Sequence, residues 1–376
     1  LIKLTLHITI YCSFGTTGFL GIHILHELLN TTNAHIYCII REKDNINSIE
    51  RFKEKYNFYY DDLNLFIDRI TPITGDLCSE KFDLLEQTYS ELSDIIDCVF
   101  SSAAIVKHFG DPELFYKTNV LGTQKIVDFC VKNNLPLHYI STLSISGYGL
   151  TKTPNYNFTE NDFYIHQDYN NNVYVKTKFQ AEAIILNACK ENHLIASIYR
   201  IGNITNRYSD GLFQENASEN AFLNRISSII NLKCIPKELL NLEIEFTPVD
   251  YCAKFIVHLS KNMYNNLNIY HLFNNNLITF KNFIEILSLY GYNLKTISLE
   301  EFKKIILNSN INSFGITNYL SILDNKNTSS LTIDNSYTNL LLNTSNLNWP
   351  CISQKYIKKI INYLKKYNFI GDTYEN

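Results

Sequence analysis

The stretch Phe14–Leu29, FGTTGFLGIHILHELL, decides the fold of this chain. It carries Gly15, Gly18 and Gly21 directly after an apolar run and at the start of a helical pattern. Glycine is required where a turn takes positive φ and where the backbone approaches a pyrophosphate, whose charge then lies at a helix N-terminus. With a strand before it and a helix after it, this loop predicts the first βα turn of a dinucleotide-binding domain.

Short apolar runs alternate with longer helical patterns up to about residue 200. The runs that read as strands are HITIYC, HIYCII, RITPIT, DCVFSS, LHYIST and ASIYR, and the helical patterns begin at Phe19, Ile46, Val120 and Val173. Strict alternation implies right-handed crossovers and a parallel sheet. The predicted fold class is therefore α/β, with the doubly wound parallel sheet of the Rossmann type.

The alternation of strand and helix patterns ends after Arg200. A polar and aromatic stretch leads into an apolar helix, and EIEFTPVDYCAKFIVHL is expected to rejoin the sheet. From about Asn274, helical segments alternate with Asn- and Ser-rich turns. We expect a nucleotide domain over residues 1–203, rejoined by about 244–273, and a smaller, mostly helical substrate lobe over 204–243 and 274–376.

Composition narrows the functional classes. The net charge of -4 and the scattered Lys and Arg residues argue against nucleic-acid binding. The nine cysteines occur singly without a C-x-x-C pair, which is typical of reduced thiols in a cytoplasmic protein and predicts no metal site. No apolar run reaches the ~18 residues of a membrane span. Because the chain begins with leucine and holds one methionine, we expect a piece of a longer protein.

The residue at the tip of the second strand distinguishes the two nicotinamide cofactors. An acid there binds the ribose hydroxyl of NAD, whereas Arg41 offers a planar, always-charged donor to a 2′-phosphate. NADPH is therefore the expected cofactor. Arg51 supplies either a second cation or an ordinary solvated helix charge. Asp76, in ITGDL after the third strand, is either an acceptor for the adenine amino group or a turn residue.

Two Tyr/Lys pairs compete for a catalytic role, YVKTK (Tyr174 and Lys178) and YGLTK (Tyr148 and Lys152). Hydride reduction of a carbonyl builds negative charge on oxygen, so the site needs a proton donor, and a nearby ammonium stabilises a phenolate. On a helix, a spacing of four puts both side chains on one face, so the catalytic pair is expected to be helical. YGLTK lies among glycines and precedes Thr153-Pro154, whereas Asn171 or Asn172 can cap a helix through YVKTK. The context favours Tyr174 and Lys178, and Tyr148 is expected to line the cleft or pack on it.

A second hydrogen-bond donor is expected at the end of a neighbouring strand, because ligands bind beyond the carboxyl ends of a parallel sheet. LHYISTLSISG offers four hydroxyl groups there, those of Ser141, Thr142, Ser144 and Ser146. Position alone does not choose among them.

Six motifs follow one another in the order seen in the extended short-chain dehydrogenase/reductases: the glycine loop, GDL, SSAAIVKHFG, NVLGT, ISTLSISG and YVKTK. The stretch from RYSDG to FLNR, together with EFTPVD, resembles the thioester reductase domain that terminates nonribosomal peptide synthetases and related carboxylate reductases. The resemblance covers nearly the whole chain. It implies reduction by NADPH of an acyl or peptidyl thioester, held on the phosphopantetheine arm of a carrier domain, to an aldehyde and in some members to the alcohol.

The same resemblance implies the site residues. Thr142, Tyr174 and Lys178 match the catalytic set, in which Thr142 and Tyr174 hold the oxyanion while Lys178 binds the nicotinamide ribose and tunes Tyr174. Asn119 matches a position that supports the active-site helix, and it is also counted among the expected cofactor contacts. The further cofactor contacts implied are Gly15, Thr17, Gly18, Phe19, Leu20, Arg41, Arg51, Asp76, Leu77, Ala103, Ala104, Val106, Gly202, Asn203 and Ile204.

The chain departs from the family pattern at two positions. Phe14 stands where a threonine is usual and Ile201 where a proline is usual, so the loop and the pocket floor are expected to differ in shape. The carrier domain is expected upstream in the same polypeptide, and the reductase domain itself is expected to be monomeric.

Three other functions stay open. A nucleotide-sugar epimerase or dehydratase shares the Tyr/Lys pair but usually retains NAD, against which Arg41 argues. A non-enzymatic NADP sensor commonly lacks the pair. A fatty acyl-CoA reductase uses similar chemistry and often adds a membrane anchor.

Overall fold

The chain divides into two compact units, as seen in a computed structural model. The structure describes residues 9–43, 45–106, 110–150, 155–170, 172–261, 265–308 and 330–371. The first unit comprises Leu1–Ile201, Cys252–Leu272 and Ser330–Leu347. The second comprises Gly202–Tyr251, Phe273–Ser329 and Asn348–Asn376.

A seven-stranded sheet forms the centre of the first unit. Its strands are β1 (Ile10–Phe14), β2 (His35–Ile40), β3 (Ile70–Thr74), β4 (Cys98–Ser101), β5 (Leu137–Thr142), β6 (Ala196–Ile201) and β7 (Leu267–Leu272). They lie in the order β7-β6-β5-β4-β1-β2-β3, and all neighbours are parallel. The strand order reverses between β1 and β4, which is where an open parallel sheet binds its ligand. The predicted doubly wound α/β fold is confirmed.

The helices of this sheet follow the predicted alternation. They are α1 (Phe19–Thr31), α2 (Ser48–Tyr59), α3 (Glu86–Ile95), α4 (Gly122–Lys132) and α5 (Val173–Glu191), with shorter helical segments at Leu63–Phe66, Pro112–Phe115, Tyr116–Leu121 and Leu143–Ser146. Asparagine side chains begin two of the main helices, because an amide oxygen satisfies N–H groups that have no partner within the helix. Asn47 accepts from Glu50 N at 2.9 Å before α2, and Asn172 accepts from Tyr174 N at 2.9 Å before α5. Asn171 lies outside the described residues.

The chain rejoins the first unit within the expected range of about 244–273, but the strand that enters the sheet is not the expected one. Within the described residues, Glu243–Ile244 pairs with Ile278–Thr279 and not with the central sheet, and Val249–Ser260 is a helix, so the returning strand is β7. Along this helix Cys252, Phe255, Ile256 and Leu259 are buried, which is helical rather than alternating spacing. The expectation that EIEFTPVDYCAKFIVHL itself enters the sheet was therefore wrong.

Residues 330–347 also differ from the expected division, which placed them in the lobe. Ser330–Ile333 pairs in parallel with Asn155–Phe158, and the helix Ser336–Thr344 follows. Glu160, a buried acid, accepts hydrogen bonds from the N–H (3.1 Å) and hydroxyl (2.8 Å) of Thr338. These long-range hydrogen bonds place the segment in the first unit. No local sequence pattern predicts them.

The second unit is built from helices and two-stranded pairs. The helices are Ala221–Leu232, Phe280–Ser288, Leu299–Leu307 and Gln354–Lys366. The strand pairs are Ile204–Thr205 with Thr247–Pro248, Cys234–Pro236 with Lys295–Ile297, and Glu243–Ile244 with Ile278–Thr279. Phe246 packs edge-on against Phe222, and the buried Tyr356 donates its hydroxyl to Asn206 O at 2.7 Å.

All nine cysteines are free thiols, and six of them are buried: Cys12, Cys38, Cys98, Cys130, Cys234 and Cys252. Burial raises the pKa of Cys38 to about 12. Such thiols stay protonated at neutral pH and act as packing groups. Among the described residues, no helix has both the length and the apolar character needed to cross a bilayer.

A fully buried ion pair joins α5 to the sheet. Arg200 Nε, on β6, donates to Glu182 Oε1, on α5, at 2.7 Å, and neither side chain is exposed to solvent. Ser141 Oγ, on β5, donates to the other carboxylate oxygen at 3.1 Å. On β7, His271 Nε2 accepts from Arg200 Nη1 at 3.1 Å, while His271 Nδ1 donates to Asp334 O at 2.6 Å. Burial and the Arg200 charge lower the pKa of His271 to about 4, so the ring is neutral at pH 7.

We predict that Glu182→Gln lowers the free energy of unfolding by about 3–5 kcal/mol, because it leaves the Arg200 charge buried without its counterion. Urea denaturation measures the loss. Glu86→Gln is the control: Glu86 pairs with Lys81 at the surface, its side chain is 75% exposed, and its loss should cost less than about 1 kcal/mol. Equal small losses in both variants would show that the buried pair does not stabilise the sheet.

Candidate active site

A cleft of about 280 Å³ lies at the carboxyl ends of β1, β2, β3 and β4. It is lined by Phe14, Gly15, Thr17, Gly18, Ile39, Ile40, Arg41, Arg51, Gly75, Asp76, Leu77, Cys78, Ser102, Ala103, Ala104, Ile105, Leu114 and Thr118. Many of the residues predicted to contact the cofactor therefore line one cleft. The cleft lies between β1 and β4, where the strand order reverses.

The glycine loop has no room for side chains at two positions. Gly15 has φ +82°, and a Cβ there would lie 2.4 Å from Ala103 N. A Cβ on Gly21 would lie 2.2 Å from Gly15 O. The loop therefore packs directly on the backbone after β4 and turns into α1, whose N-terminus favours an anion. This is the cradle that a pyrophosphate requires.

Phe19 and Leu20 open α1 rather than line the cleft with side chains. The Phe19 ring packs on His23 and Tyr59, and Leu20 is buried. Any contact that these two residues make with a cofactor would come from their backbone N–H groups.

Positive charge gathers at the β2 side of the cleft. Arg41 follows β2 directly, and Arg51 on α2 donates from Nη1 to Arg41 O at 2.5 Å. Burial and the nearby charges of Arg51 and Lys43 lower the pKa of Lys55. Cations crowded in this way favour an anionic ligand, and a phosphate on the adenosine ribose has the right charge.

Asp76 serves the turn in addition to lining the cleft. Its Oδ1 accepts from Cys78 N at 2.9 Å. Leu77 lines the cleft and packs against Gly122, where a Cβ would come within 2.8 Å of Leu77 Cγ. Val106 is 63% exposed and, unlike Ala103 and Ala104, is not part of the described lining.

Asn119 connects the cleft to α5. Its side chain accepts from Ile105 N at 2.8 Å and donates to Ile105 O and to Thr177 Oγ1, both at 3.1 Å. Ile105 lines the cleft, and Thr177 immediately precedes Lys178. The buried amide thus fixes the position of α5 relative to the segment after β4 that lines the cleft.

Tyr174 and Thr142 interact at the end of β5. Tyr174 is in the first turn of α5, and Thr142 is the last residue of β5. Burial raises the pKa of Tyr174 to about 12, although its hydrogen bond with Thr142 opposes the rise. The phenol is therefore protonated at neutral pH and can donate a proton to a developing oxyanion.

Lys178 is buried behind Tyr174 on the same helix. Its Nζ donates to the Tyr139 hydroxyl at 2.6 Å and to Ile140 O at 2.7 Å. Burial lowers the pKa of Lys178 to about 7, with Glu182 opposing the shift. The side chain therefore changes charge near neutral pH.

The structure separates the residues that the sequence left in competition. Tyr148 belongs to the strand Tyr148–Leu150, not to a helix, and Lys152 lies outside the described residues. Ser141 is turned into the interior toward Glu182, whereas Thr142 meets Tyr174. Ser144 and Ser146 form the turn after β5, in which Ser144 N donates to Thr142 Oγ1 at 3.2 Å.

Gly202, Asn203 and Ile204 begin the second unit, directly after β6. Glu245 fixes this segment: its carboxylate accepts from Asn203 N at 2.7 Å and from Thr247 Oγ1 at 2.6 Å. Burial raises the pKa of Glu245 even against these hydrogen bonds.

The two residues that depart from the family pattern are both buried. Phe14 packs on Phe82 with ring centroids 4.8 Å apart, and Ile201 closes β6. Each fills an apolar position, which explains why a large hydrophobic residue is accepted there.

Sequence reasoning did not single out Ser102, Tyr139 or Glu182, which contact residues of the candidate site. Ser102 lines the cleft and donates to Phe14 O at 3.1 Å, and its position right after β4 was a usable signal. Tyr139 and Glu182 hold Lys178 and Ser141 from the interior. They look like ordinary core positions of a strand and a helix, so nothing local marked them.

The motifs that carry the reductase resemblance contact each other in the second unit. Asp250, from TPVD, accepts from Tyr208 N at 2.9 Å and from Ser209 N at 3.0 Å, both in RYSDG. Arg207 and Asp210 form an ion pair within the same turn. The two motifs therefore build one structural element.

A sequence profile of an NAD-binding family, described as "Male sterility protein", matches residues 14–256, well over half of the chain. The chain belongs to this family. It therefore has an NAD(P)-binding domain of the extended short-chain dehydrogenase/reductase type, as predicted.

Relatives and solved structures agree with this assignment. A thiolation-reductase di-domain from an archaeal non-ribosomal peptide synthetase is 32% identical, with a TM-score of 0.85 over 96% of this chain and 76% of that one. The terminal R domain of the myxalamid PKS-NRPS pathway shares the fold at 22% identity, with a TM-score of 0.83 over 99% of this chain and 94% of that one. A component of the linear gramicidin synthase of Brevibacillus parabrevis is 24% identical over 94% of this chain, which spans 7% of that protein's length. The predicted resemblance to terminal reductase domains is confirmed.

Proposed function

We propose that this chain is an NADPH-dependent reductase that releases an acyl or peptidyl thioester from a carrier domain as an aldehyde. The observation that carries the proposal is the placement of Tyr174, in the first turn of α5, beside Thr142, the last residue of β5, on a helix that Asn119 ties to the nucleotide cleft. A protonated phenol and a hydroxyl at a strand end are the two donors that an oxyanion needs.

The residues of the chain divide the chemistry among them. Bound NADPH would supply the hydride for the thioester carbon. Tyr174 and Thr142 would donate hydrogen bonds to the oxygen as its charge develops, and Tyr174 is the group that holds a transferable proton at neutral pH. Collapse of the resulting hemithioacetal frees the thiol and the aldehyde, and a second reduction would give the alcohol.

The preference for NADPH over NADH rests on the cationic side of the cleft. Arg41 and Arg51 line it together, and Lys43 and Lys55 add charge nearby. An acid that would bind the adenosine ribose hydroxyl of NAD is not present at the tip of β2, where Arg41 stands. These observations favour a 2′-phosphate.

The carrier partner is inferred from the relatives. The archaeal structure joins a thiolation domain to the reductase, and the gramicidin synthase component is a far longer protein. We infer a phosphopantetheinyl carrier domain, upstream in the same polypeptide, as the donor of the thioester. The first unit would then bind the cofactor and the second the acyl chain, in a monomeric, cytoplasmic domain.

The alternatives are supported less well. Arg41 disfavours an NAD-retaining epimerase. A Tyr174/Lys178 pair on one helix, with Tyr174 beside Thr142, disfavours a sensor without catalysis. A fatty acyl-CoA reductase would use the same residues, so the substrate assay must compare a carrier thioester with an acyl-CoA.

We predict that Arg41→Ser raises the KM for NADPH at least about tenfold and leaves the KM for NADH nearly unchanged, because only the former loses a charge-assisted hydrogen bond. Steady-state kinetics with both cofactors measure the ratio, so NADH is the internal control. An equal change for both cofactors would contradict a 2′-phosphate site at Arg41.

We predict that the purified chain oxidises NADPH when given an acyl-phosphopantetheine thioester, and that Tyr174→Phe lowers kcat about 10²–10⁴-fold. Because Lys178 is charged only below its pKa of about 7, kcat/KM for NADPH should fall as the pH rises through that value. Binding of NADPH without thioester turnover, or thioester turnover that Tyr174→Phe leaves unchanged, would refute the proposed function.

A further inference from the structure

We propose that Tyr139 is a positioning residue for this reaction, whose hydroxyl fixes the ammonium group of Lys178 in the direction of the nicotinamide ribose. The proposal rests on the proposed function only in that Lys178 serves the bound cofactor. Its evidence is the environment of the Lys178 side chain, which is 1% exposed.

The contacts of Lys178 define one direction for its charge. Nζ donates to the Tyr139 hydroxyl at 2.6 Å and to Ile140 O at 2.7 Å, and it lies 4.1 Å from the centre of the Tyr139 ring. An ammonium group has three N–H donors. With two of them directed at β5, one N–H remains for a bound ligand, and a ribose hydroxyl is an acceptor of the kind it would need.

Tyr139 itself has little freedom to move. It is 1% exposed on β5, which is paired on both sides with β4 and β6. The Tyr139 hydroxyl lies 3.5 Å from Thr123 Oγ1. The Thr123 hydroxyl in turn donates to Asn119 O at 2.6 Å. The Tyr139 hydroxyl that contacts Lys178 is therefore held by the central sheet and, through Thr123, by Asn119, the residue that connects the cleft to α5.

The Tyr139 hydroxyl also favours the charged form of Lys178. Burial disfavours that charge, and Glu182, one helical turn further on, opposes the effect. A hydrogen bond at 2.6 Å to a neutral acceptor stabilises the ammonium more than the free amine. Its removal should lower the pKa of Lys178 further.

A matched control lies on the neighbouring strand. Tyr199 on β6 is 0% exposed, and its hydroxyl lies 3.0 Å from His138 Nδ1. Tyr199→Phe therefore removes the same atom from the same sheet without touching Lys178. A merely structural role of a buried tyrosine would show equally in both variants.

The test is the affinity for NADPH as a function of pH, measured by the fluorescence of the bound nicotinamide without any thioester. In Tyr139→Phe we expect the loss of affinity with rising pH to occur about one pH unit lower than in the wild type, which corresponds to a roughly fivefold weaker Kd at pH 7. Tyr199→Phe should follow the wild-type curve. Thr123→Val, which loosens Tyr139 without altering it, should shift the curve in the same direction by less.

A wild-type curve for Tyr139→Phe, or equal shifts for Tyr139→Phe and Tyr199→Phe, would overturn the proposal. Thermal unfolding of each variant shows whether it is folded. If Tyr139→Phe does not fold, the shift measured for Thr123→Val tests the proposal in its place. Since the assay needs no substrate, failure of the wild type to reduce thioesters would count against the proposed function alone.

Discussion

The buried ion pair between Glu182 and Arg200 is the interaction on which the site depends. Both charges lie in the interior, where losing either partner would leave the other uncompensated. Glu182 belongs to α5, which carries Tyr174, while its second oxygen holds Ser141, the neighbour of Thr142. The pair therefore fixes the helix and the strand end whose side chains must meet. The cost of separating the charges keeps the Thr142–Tyr174 geometry in place before any ligand binds.

The same carboxylate influences the charges at the candidate site. Lys178 lies one turn before Glu182 on α5, and its ammonium is kept partly charged near neutral pH by that acid and by its hydrogen bonds to β5. Tyr174 stays protonated because burial outweighs its hydrogen bond with Thr142. In the sequence, Lys178 is expected to lower the pKa of Tyr174. In the structure the ammonium is directed toward Tyr139, and burial sets the pKa of Tyr174.

Local signals predicted much of this molecule. The glycine loop, the strand–helix alternation and the Asn172 cap each act over a few residues, and they gave the fold and chose Tyr174 over Tyr148. What was missed depends on contacts between distant residues. Tyr139 acquires its role only when α5 packs on β5, and residues 330–347 join the first unit through a strand pairing and Glu160. Such partners have no fixed spacing in the sequence.

The most direct measurement follows deuterium from the transferable C4 position of labelled NADPH into the product of an acyl-phosphopantetheine thioester. Mass spectrometry should find an aldehyde with one deuterium at its carbonyl carbon, released together with free thiol, or an alcohol with two after a second reduction. Tyr174→Phe should slow the appearance of label while still binding NADPH. An unlabelled carboxylic acid, or intact thioester beside bound NADPH, would contradict reductive release by this chain.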